Sequence, residues 1–201
     1  MKKKRASRRE TALDYLFSIE STWKGHEAFA LWLIQEISPK IVVDLGFDRG
    51  LSTLAFAFEN KGHVFGIDWF EEGNYAEKSF ALESAFQNIS NAISCNFVKN
   101  IHLIIGPFRE ITKSWEKRVD LLHIDWAHSY RAVKQCYETW RQFLEPNAVI
   151  LIHDIVSCPE GPGKLFRELR IPKVSFTHGS GLGILSSNRE LLESIQKAFQ
   201  L

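Results

Sequence analysis

Residues 41–52 read IVVDLGFDRGLS. Ile41, Val42 and Val43 are consecutive β-branched residues, the mark of a strand buried on both faces, and they lead to Asp44. Gly46 and Gly50 then punctuate a bend, and Leu51, Leu54, Ala55 and Phe58 continue at helical spacing. A strand that ends in glycines at a helix N-terminus lets a ligand come close to bare backbone, with amide hydrogens directed at it. This is the physics of a nucleotide-type cofactor site. A dinucleotide fingerprint places glycines at first, third and sixth positions. Here the second glycine follows the first by four, so a nicotinamide oxidoreductase is disfavoured.

Downstream, the same strand-then-tip grammar repeats. Gly62 breaks the first helix, and residues 63–68 (HVFGID) predict a second strand with an acid at its tip. Asp68 lies 18 residues after Gly50, the interval of an adjacent parallel strand after a crossover helix. Its carboxylate suits a ribose diol; a strand-end turn aspartate is the plainer alternative. Residues 69–79 predict a polar loop, residues 80–93 a helix, and residues 101–105 a third strand ending in Gly106-Pro107. The richest second stretch is VDLLHIDWAHSY (119–130), a buried strand running into polar and aromatic groups. An amphipathic helix follows, with Val133, Cys136, Tyr137, Trp140, Phe143 and Leu144 on one face. Residues 148–152 then form an apolar run of the kind a central parallel strand shows, ending in His153-Asp154. Strand tips of a parallel sheet are where α/β domains put their ligands. Asp125, His128, His153 and Asp154 are thus expected on one edge with Gly46 and Asp68.

On these residues the chain resembles the class I S-adenosylmethionine (SAM) methyltransferases. Asp44-Leu-Gly46-x-x-x-Gly50-Leu-Ser52 is similar to their first motif, and the serine is typical of the catechol-type O-methyltransferases. LLHIDWAHSY, VILIHDI, GPGKLFREL and GSGLGIL resemble a branch, often numbered family 24, that acts on macrolides, sugars and related small molecules. The similarity covers roughly residues 26–187. Two departures stand out: Pro146-Asn147-Ala148 replaces a usual glycine pair, and Trp126 occupies a position that is usually small. The resemblance implies a Rossmann-like α/β fold with a seven-stranded, mostly parallel sheet, an antiparallel C-terminal hairpin strand and helices on both faces. It also implies SAM as cofactor, contacted at Asp44, Gly46, Phe47, Asp48, Gly50, Ser52, Asp68, Trp69, Gly106, Pro107, Asp125 and Trp126.

Methyl transfer from a sulfonium is an in-line displacement that needs positioning and, usually, removal of a proton from the acceptor. Histidine is the natural base near neutral pH. His128, three residues beyond Asp125, takes the position where catechol-type relatives carry a catalytic lysine; capping of the next helix is the alternative. Asp125, His153 and Asp154 are candidate ligands of a divalent metal such as magnesium or manganese, which would hold the acceptor hydroxyl and lower its pKa. Magnesium prefers oxygen, and histidine better suits manganese, iron or zinc. Neighbouring strand residues point to opposite faces, so His153 and Asp154 can share one ion only where the strand has already ended.

Composition sets the frame. At 201 residues and 45 % hydrophobic, the chain supports one domain with a full core. Six of the first nine residues are Lys or Arg with no acid, so the rest carries a net charge of −5. An acidic body is a poor footprint for phosphate backbones. The expected division is a basic disordered tail (1–10) and a single domain (11–201) with N-terminal helices over 11–22 and 26–37. Cys95, Cys136 and Cys158 are odd in number, lack metal-type spacing, and fit reduced thiols of a cytoplasmic protein. No apolar run reaches the ~20 residues of a membrane span. Residues 173–178 and 182–186 predict a closing antiparallel hairpin across Gly179–Gly181, before a final amphipathic helix.

The expectation is therefore O-methylation of a small hydroxylated acceptor. A non-catalytic SAM- or nucleotide-binding module, and a nucleic-acid methyltransferase guided by the basic tail, are the alternatives. A homodimer is compatible with the sequence; a membrane partner is not expected, and nucleic acid is disfavoured.

Overall fold

The computed structural model describes residues 6–69 and 75–201, the side chains of 75–78 excepted. Strands β1 (Ile41–Leu45), β2 (His63–Asp68), β3 (Ile101–Ile105), β4 (Val119–Ile124), β5 (Leu144–His153), β6 (Lys173–Phe176) and β7 (Leu182–Leu185) form one sheet in the order β3-β2-β1-β4-β5-β7-β6. Pairings from β3 through β5 are parallel, while β7 runs antiparallel to both β5 and β6. The fold is the expected Rossmann-like one. Its strand order reverses between β1 and β4, the switch point where doubly wound sheets open a ligand crevice at their carboxyl ends.

Helices are α1 (Arg8–Ser18), α2 (Glu27–Ile37), α3 (Leu51–Ala57), α4 (Tyr75–Ser94), α5 (Phe108–Thr112), α6 (Tyr130–Trp140), α7 (Pro162–Glu168) and α8 (Arg189–Phe199). They divide between the two faces because strand side chains alternate. Val42, Leu121 and Leu151 pack beneath α1, α2, α3 and α8; Val43, Leu122, Ile150 and Ile152 pack beneath α5, α6 and α7. The same alternation matters for chemistry. Asp44 pairs in register with His123, and both lie on the α2 face. So does His153, two residues beyond Leu151. The central strands thus bury polar groups as well as apolar ones on that side.

Several boundaries differ from the sequence reading. Of the tail expected over 1–10, Arg8, Arg9 and Glu10 are helical. Ser7 and Glu10 form a capping box that starts α1 early, and Arg9 pairs with Glu59 at 2.8 Å. Residues 1–5 lie outside the described residues. The loop expected over 69–79 is cut short, since α4 already begins at Tyr75; residues 70–74 are not among those described. Phe143 and Leu144 do not extend α6. A 3₁₀ turn (Arg141–Phe143) follows it, and β5 starts at Leu144 rather than Ala148, with Pro146 and Asn147 in its outer end. Short α5, not expected, starts behind Pro107. Among the described residues no helix is long and apolar enough to cross a membrane.

Candidate active site

Five strand tips meet at one rim. At the tip of β1 the chain bends through Gly46 at φ +88°. A Cβ there would collide with the Asp125 carbonyl oxygen and the Trp126 Cα, so only glycine lets the first loop lie against the tip of β4. Gly50, also at φ +88°, is the N-cap of α3. Between them the Asp48 N–H donates to Asp68 Oδ2 at 3.2 Å, and the Gly46 N–H donates to the Ile67 carbonyl at 2.8 Å. The first loop and the second strand's acid therefore share one cleft edge.

Asp44, Phe47 and Ser52 are turned into the body, and what they offer a ligand is a shaped backbone. Asp44 is fully buried. Its Oδ2 accepts from Ser52 at 2.7 Å and Thr53 at 2.5 Å, and its Oδ1 accepts from His123 Nδ1 at 2.7 Å. On the other side of the His123 ring, Nε2 accepts from the Trp23 indole N–H at 3.0 Å. With Nε2 as acceptor, Nδ1 must be the nitrogen that carries the proton. Every buried group in this Trp23–His123–Asp44 chain is satisfied, and α3 is locked to the sheet from inside.

Next to the loop stands an aromatic cradle. Trp69 follows β2, Phe108 follows β3 and Trp126 follows β4. The Trp69 and Trp126 rings are nearly parallel, 15° apart with centroids 6.4 Å distant, and Phe108 meets Trp126 edge-on at 5.5 Å. The Trp126 indole nitrogen is buried and has no hydrogen-bond partner among the described residues, a donor awaiting an acceptor. Gly106 donates its N–H to the Asp68 carbonyl at 2.9 Å, and Pro107 caps α5. These glycine and proline positions thus support the cradle through backbone.

Beyond the cradle lie the titratable groups. His128 is largely exposed, and its Nε2 stands 2.9 Å from Asp154 Oδ2. That hydrogen bond, with the nearby carboxylates, raises the His128 pKa above 6.5 against the burial that lowers it. Asp154 loses hydration on burial, which would raise it, but His128, Ser157 and His153 outweigh that and hold it at about 2. Ser157 Oγ donates to Asp154 Oδ1 at 2.6 Å. His153 is buried. Its Nε2 donates to the Gly179 carbonyl at 2.9 Å, while Nδ1 faces Asp125 Oδ1 at 3.1 Å and Asp154 Oδ1 at 3.6 Å. Burial lowers the His153 pKa, yet the two carboxylates win and the net shift is upward.

The condition on the metal candidates is met. β5 ends at His153, and Asp154 takes a left-handed turn at φ +61°, so neighbours reach one space. One ligand atom from each of Asp125, His153 and Asp154 lies within 4.8 Å of the others. The donor chemistry also fits: with Nε2–H tied to a backbone carbonyl, Nδ1 is the nitrogen that faces both carboxylates, and on giving up its proton it would offer a lone pair to a cation held between them.

Sequence reasoning missed His26. Its Nε2 also donates to the Gly179 carbonyl, at 2.9 Å, and its ring lies 5.4 Å from that of His153. Burial, opposed by that hydrogen bond, holds its pKa down at about 4. Trp23, Thr53, His123 and Phe108 were also passed over. None carries a spacing signal, because each meets its partner only across the sheet or between strand tips.

Comparison with known proteins agrees with this architecture. A family model described as "Methyltransferase domain" matches residues 43–155. An uncharacterised protein of Sinorhizobium fredii, y4gI, is 29 % identical over 191 residues; the match takes in 90 % of this chain and 21 % of that protein. The chain thus spans about a fifth of the length of the curated relative it matches. Among solved structures, the O-methyltransferase of Bacillus cereus in complex with SAH superposes with a TM-score of 0.64 at 16 % identity, covering 92 % of this chain and 93 % of that one. The SAH-bound methyltransferase PaMTH1 of Podospora anserina gives 0.64 at 14 %, covering 90 % and 88 %. The O-methyltransferase TomG of Streptomyces achromogenes, in complex with SAM, gives 0.60 at 13 %, covering 92 % of each chain.

Proposed function

Because the chain belongs to the methyltransferase-domain family, we propose that it transfers a methyl group from SAM to a hydroxyl of a small acceptor. The observation that carries this reading is the His128–Asp154 pair at 2.9 Å on the rim that also presents Asp68, Gly46 and the tryptophan cradle. When bound, SAM supplies an electrophilic methyl on a sulfonium, and the rest is positioning and proton transfer.

In this reading Asp68 accepts the ribose hydroxyls while the loop from Gly46 to Gly50 offers backbone to the amino-acid end. Trp69 and Trp126 flank the adenine, whose ring nitrogens suit the unpartnered Trp126 indole N–H. His128 removes the acceptor proton. Its Nε2 is held by Asp154, so Nδ1 is the nitrogen left to act as base, and the carboxylate stabilises the imidazolium that forms. Asp125, His153 and Asp154 would hold a divalent metal, which would supply Lewis acidity toward the acceptor oxygen. Manganese or iron suits this nitrogen-containing set better than magnesium.

The test has two readouts. S-adenosylhomocysteine should quench tryptophan emission and raise the melting temperature, and both effects should shrink in Trp126→Ala. Labelled SAM should pass its methyl group to hydroxylated sugars or phenols in the parent protein and far more slowly in His128→Ala. Absence of any binding signal in the parent would end the proposal.

A further inference from the structure

Cys158 has no part in the chemistry above, and its neighbours are unusual for a stray thiol. It sits one turn past Asp154, its N–H donating to the Asp154 carbonyl at 2.9 Å. A ligand atom from each of His128, Asp154 and Cys158 lies within 4.8 Å of the others. Nitrogen, oxygen and sulfur donors therefore converge from the segments after β4 and β5.

Backbone packing holds that convergence. A Cβ on Gly161 would run into the His128 carbonyl oxygen, so the segment after β5 lies directly on the backbone of His128. The Gly161 and Gly163 N–H groups both donate to the Cys158 carbonyl, at 3.1 and 3.2 Å. Ser157 anchors Asp154 Oδ1 at 2.6 Å, which leaves Oδ2 turned to His128. The Cys158 thiol is half-buried beside an exposed imidazole, so solvent has access.

We propose that His128, Asp154 and Cys158 form a binding site for a borderline-soft divalent cation of the zinc type. It is separate from the Asp125–His153–Asp154 cluster, although the two share Asp154. Zinc takes nitrogen at ~2.0 Å and sulfur at ~2.3 Å, which puts its tetrahedral ligands roughly 3.3–3.8 Å apart. Binding would therefore draw the three ligand atoms, now within 4.8 Å of one another, together by side-chain rotation. A thiolate selects zinc, cobalt or iron over magnesium, which requires oxygen. On binding, the thiol releases its proton to solvent, the His128 ring keeps its single proton on Nδ1, and the freed Nε2 lone pair exchanges the hydrogen bond to Asp154 for the cation. Three protein ligands leave one position open, as in exchangeable rather than structural zinc sites. Occupancy would also withdraw His128 from proton transfer; that consequence rests on the role given to His128 above, whereas the binding itself does not.

The experiment is a cobalt(II) titration of the full chain in the absence of methyl donor, followed by absorption. The expected result is intense visible bands of a tetrahedral ion with a near-ultraviolet thiolate-to-cobalt band, both abolished by one equivalent of zinc and untouched by excess magnesium. Cys158→Ser should lose the thiolate band and weaken zinc binding at least about 10-fold, with unchanged circular dichroism and unchanged S-adenosylhomocysteine binding. Cys95→Ser and Asp125→Asn should keep the band. Cobalt uptake without a thiolate band, a band that survives Cys158→Ser, or no uptake at all would each overturn the proposal.

Discussion

The backbone N–H of Asp48 donates to the side-chain Oδ2 of Asp68 at 3.2 Å. Twenty residues apart, they join the bend after β1 to the end of β2, so a ligand gripped by one is within reach of the other. Asp48 itself sits at φ +43° and is mostly buried, which raises its pKa. The bend is therefore held in a conformation that the Asp68 carboxylate helps to define.

Replacing Asp68 by alanine removes both a ligand acceptor and this tether. Charge-assisted hydrogen bonds contribute ~1.5–3 kcal/mol each. S-adenosylhomocysteine affinity should fall at least about 10-fold, and most of the ligand-induced rise in melting temperature should vanish. Calorimetric titration checks the first and thermal unfolding the second; an Asp68→Ala protein that binds like the parent would detach Asp68 from the cofactor.

His128 should act as a base only when neutral. Asp154 raises its pKa above 6.5, so kcat should climb with pH on a limb displaced above the ordinary histidine value. In Asp154→Asn the raising charge is gone, and the limb should move to lower pH while the maximal rate drops. His128→Ala should lower kcat by roughly 10²–10⁴, with ligand binding intact. A pH–rate profile of the three proteins decides this.

The Trp23–His123–Asp44 chain should be the most fragile polar feature of the fold. His123→Phe takes a donor from a buried carboxylate and also orphans the Trp23 indole N–H, together about 3–5 kcal/mol. Trp23→Phe removes a single donor to a neutral ring and should cost about 1–3 kcal/mol. Urea unfolding should rank the two variants in that order.

Acid should destabilise the fold through His26. Its pKa is about 4 when folded and 6.5 when free, so the unfolded chain takes up this proton first. Stability from this group is complete above pH 6.5, declines as pH falls, and is fully lost below about 4, a total of about 3 kcal/mol. Part of that fall should disappear in His26→Gln. Melting temperatures measured from pH 7.5 to 4 for both proteins give the comparison.

Gly46→Ala should fail for a local reason. Its φ is +88°, and the added methyl group would meet the Asp125 carbonyl. A drop in stability of more than about 2 kcal/mol with loss of ligand binding is expected.

The alternation of apolar strands with amphipathic helices was legible along the chain, and so were the strand tips that meet at the candidate rim. Gly46, Asp68, Asp125 and His153-Asp154 could be placed on one edge because parallel strands must all end at the same side. Boundaries were less legible. The fifth strand was expected only from Ala148, yet Pro146 and Asn147 lie in the outer end of β5, where an irregularity in the β4–β5 register tolerates proline. Ser7 read as part of a charged tail, but with Glu10 it caps a helix.

Local patterning, joined to the family resemblance carried by the strand-tip motifs, therefore determined the sheet, the direction of its strands and the rim on which a cofactor would sit. Tertiary structure decided which polar groups are partners: Trp23 with His123, His26 with His153 through the Gly179 carbonyl, and His128 with Asp154. The reason is physical. Periodicity records which face of an element is buried, whereas hydrogen bonds and metal ligands depend on distances of a few ångströms between segments as far as 153 residues apart, and those are fixed only when the helices have packed.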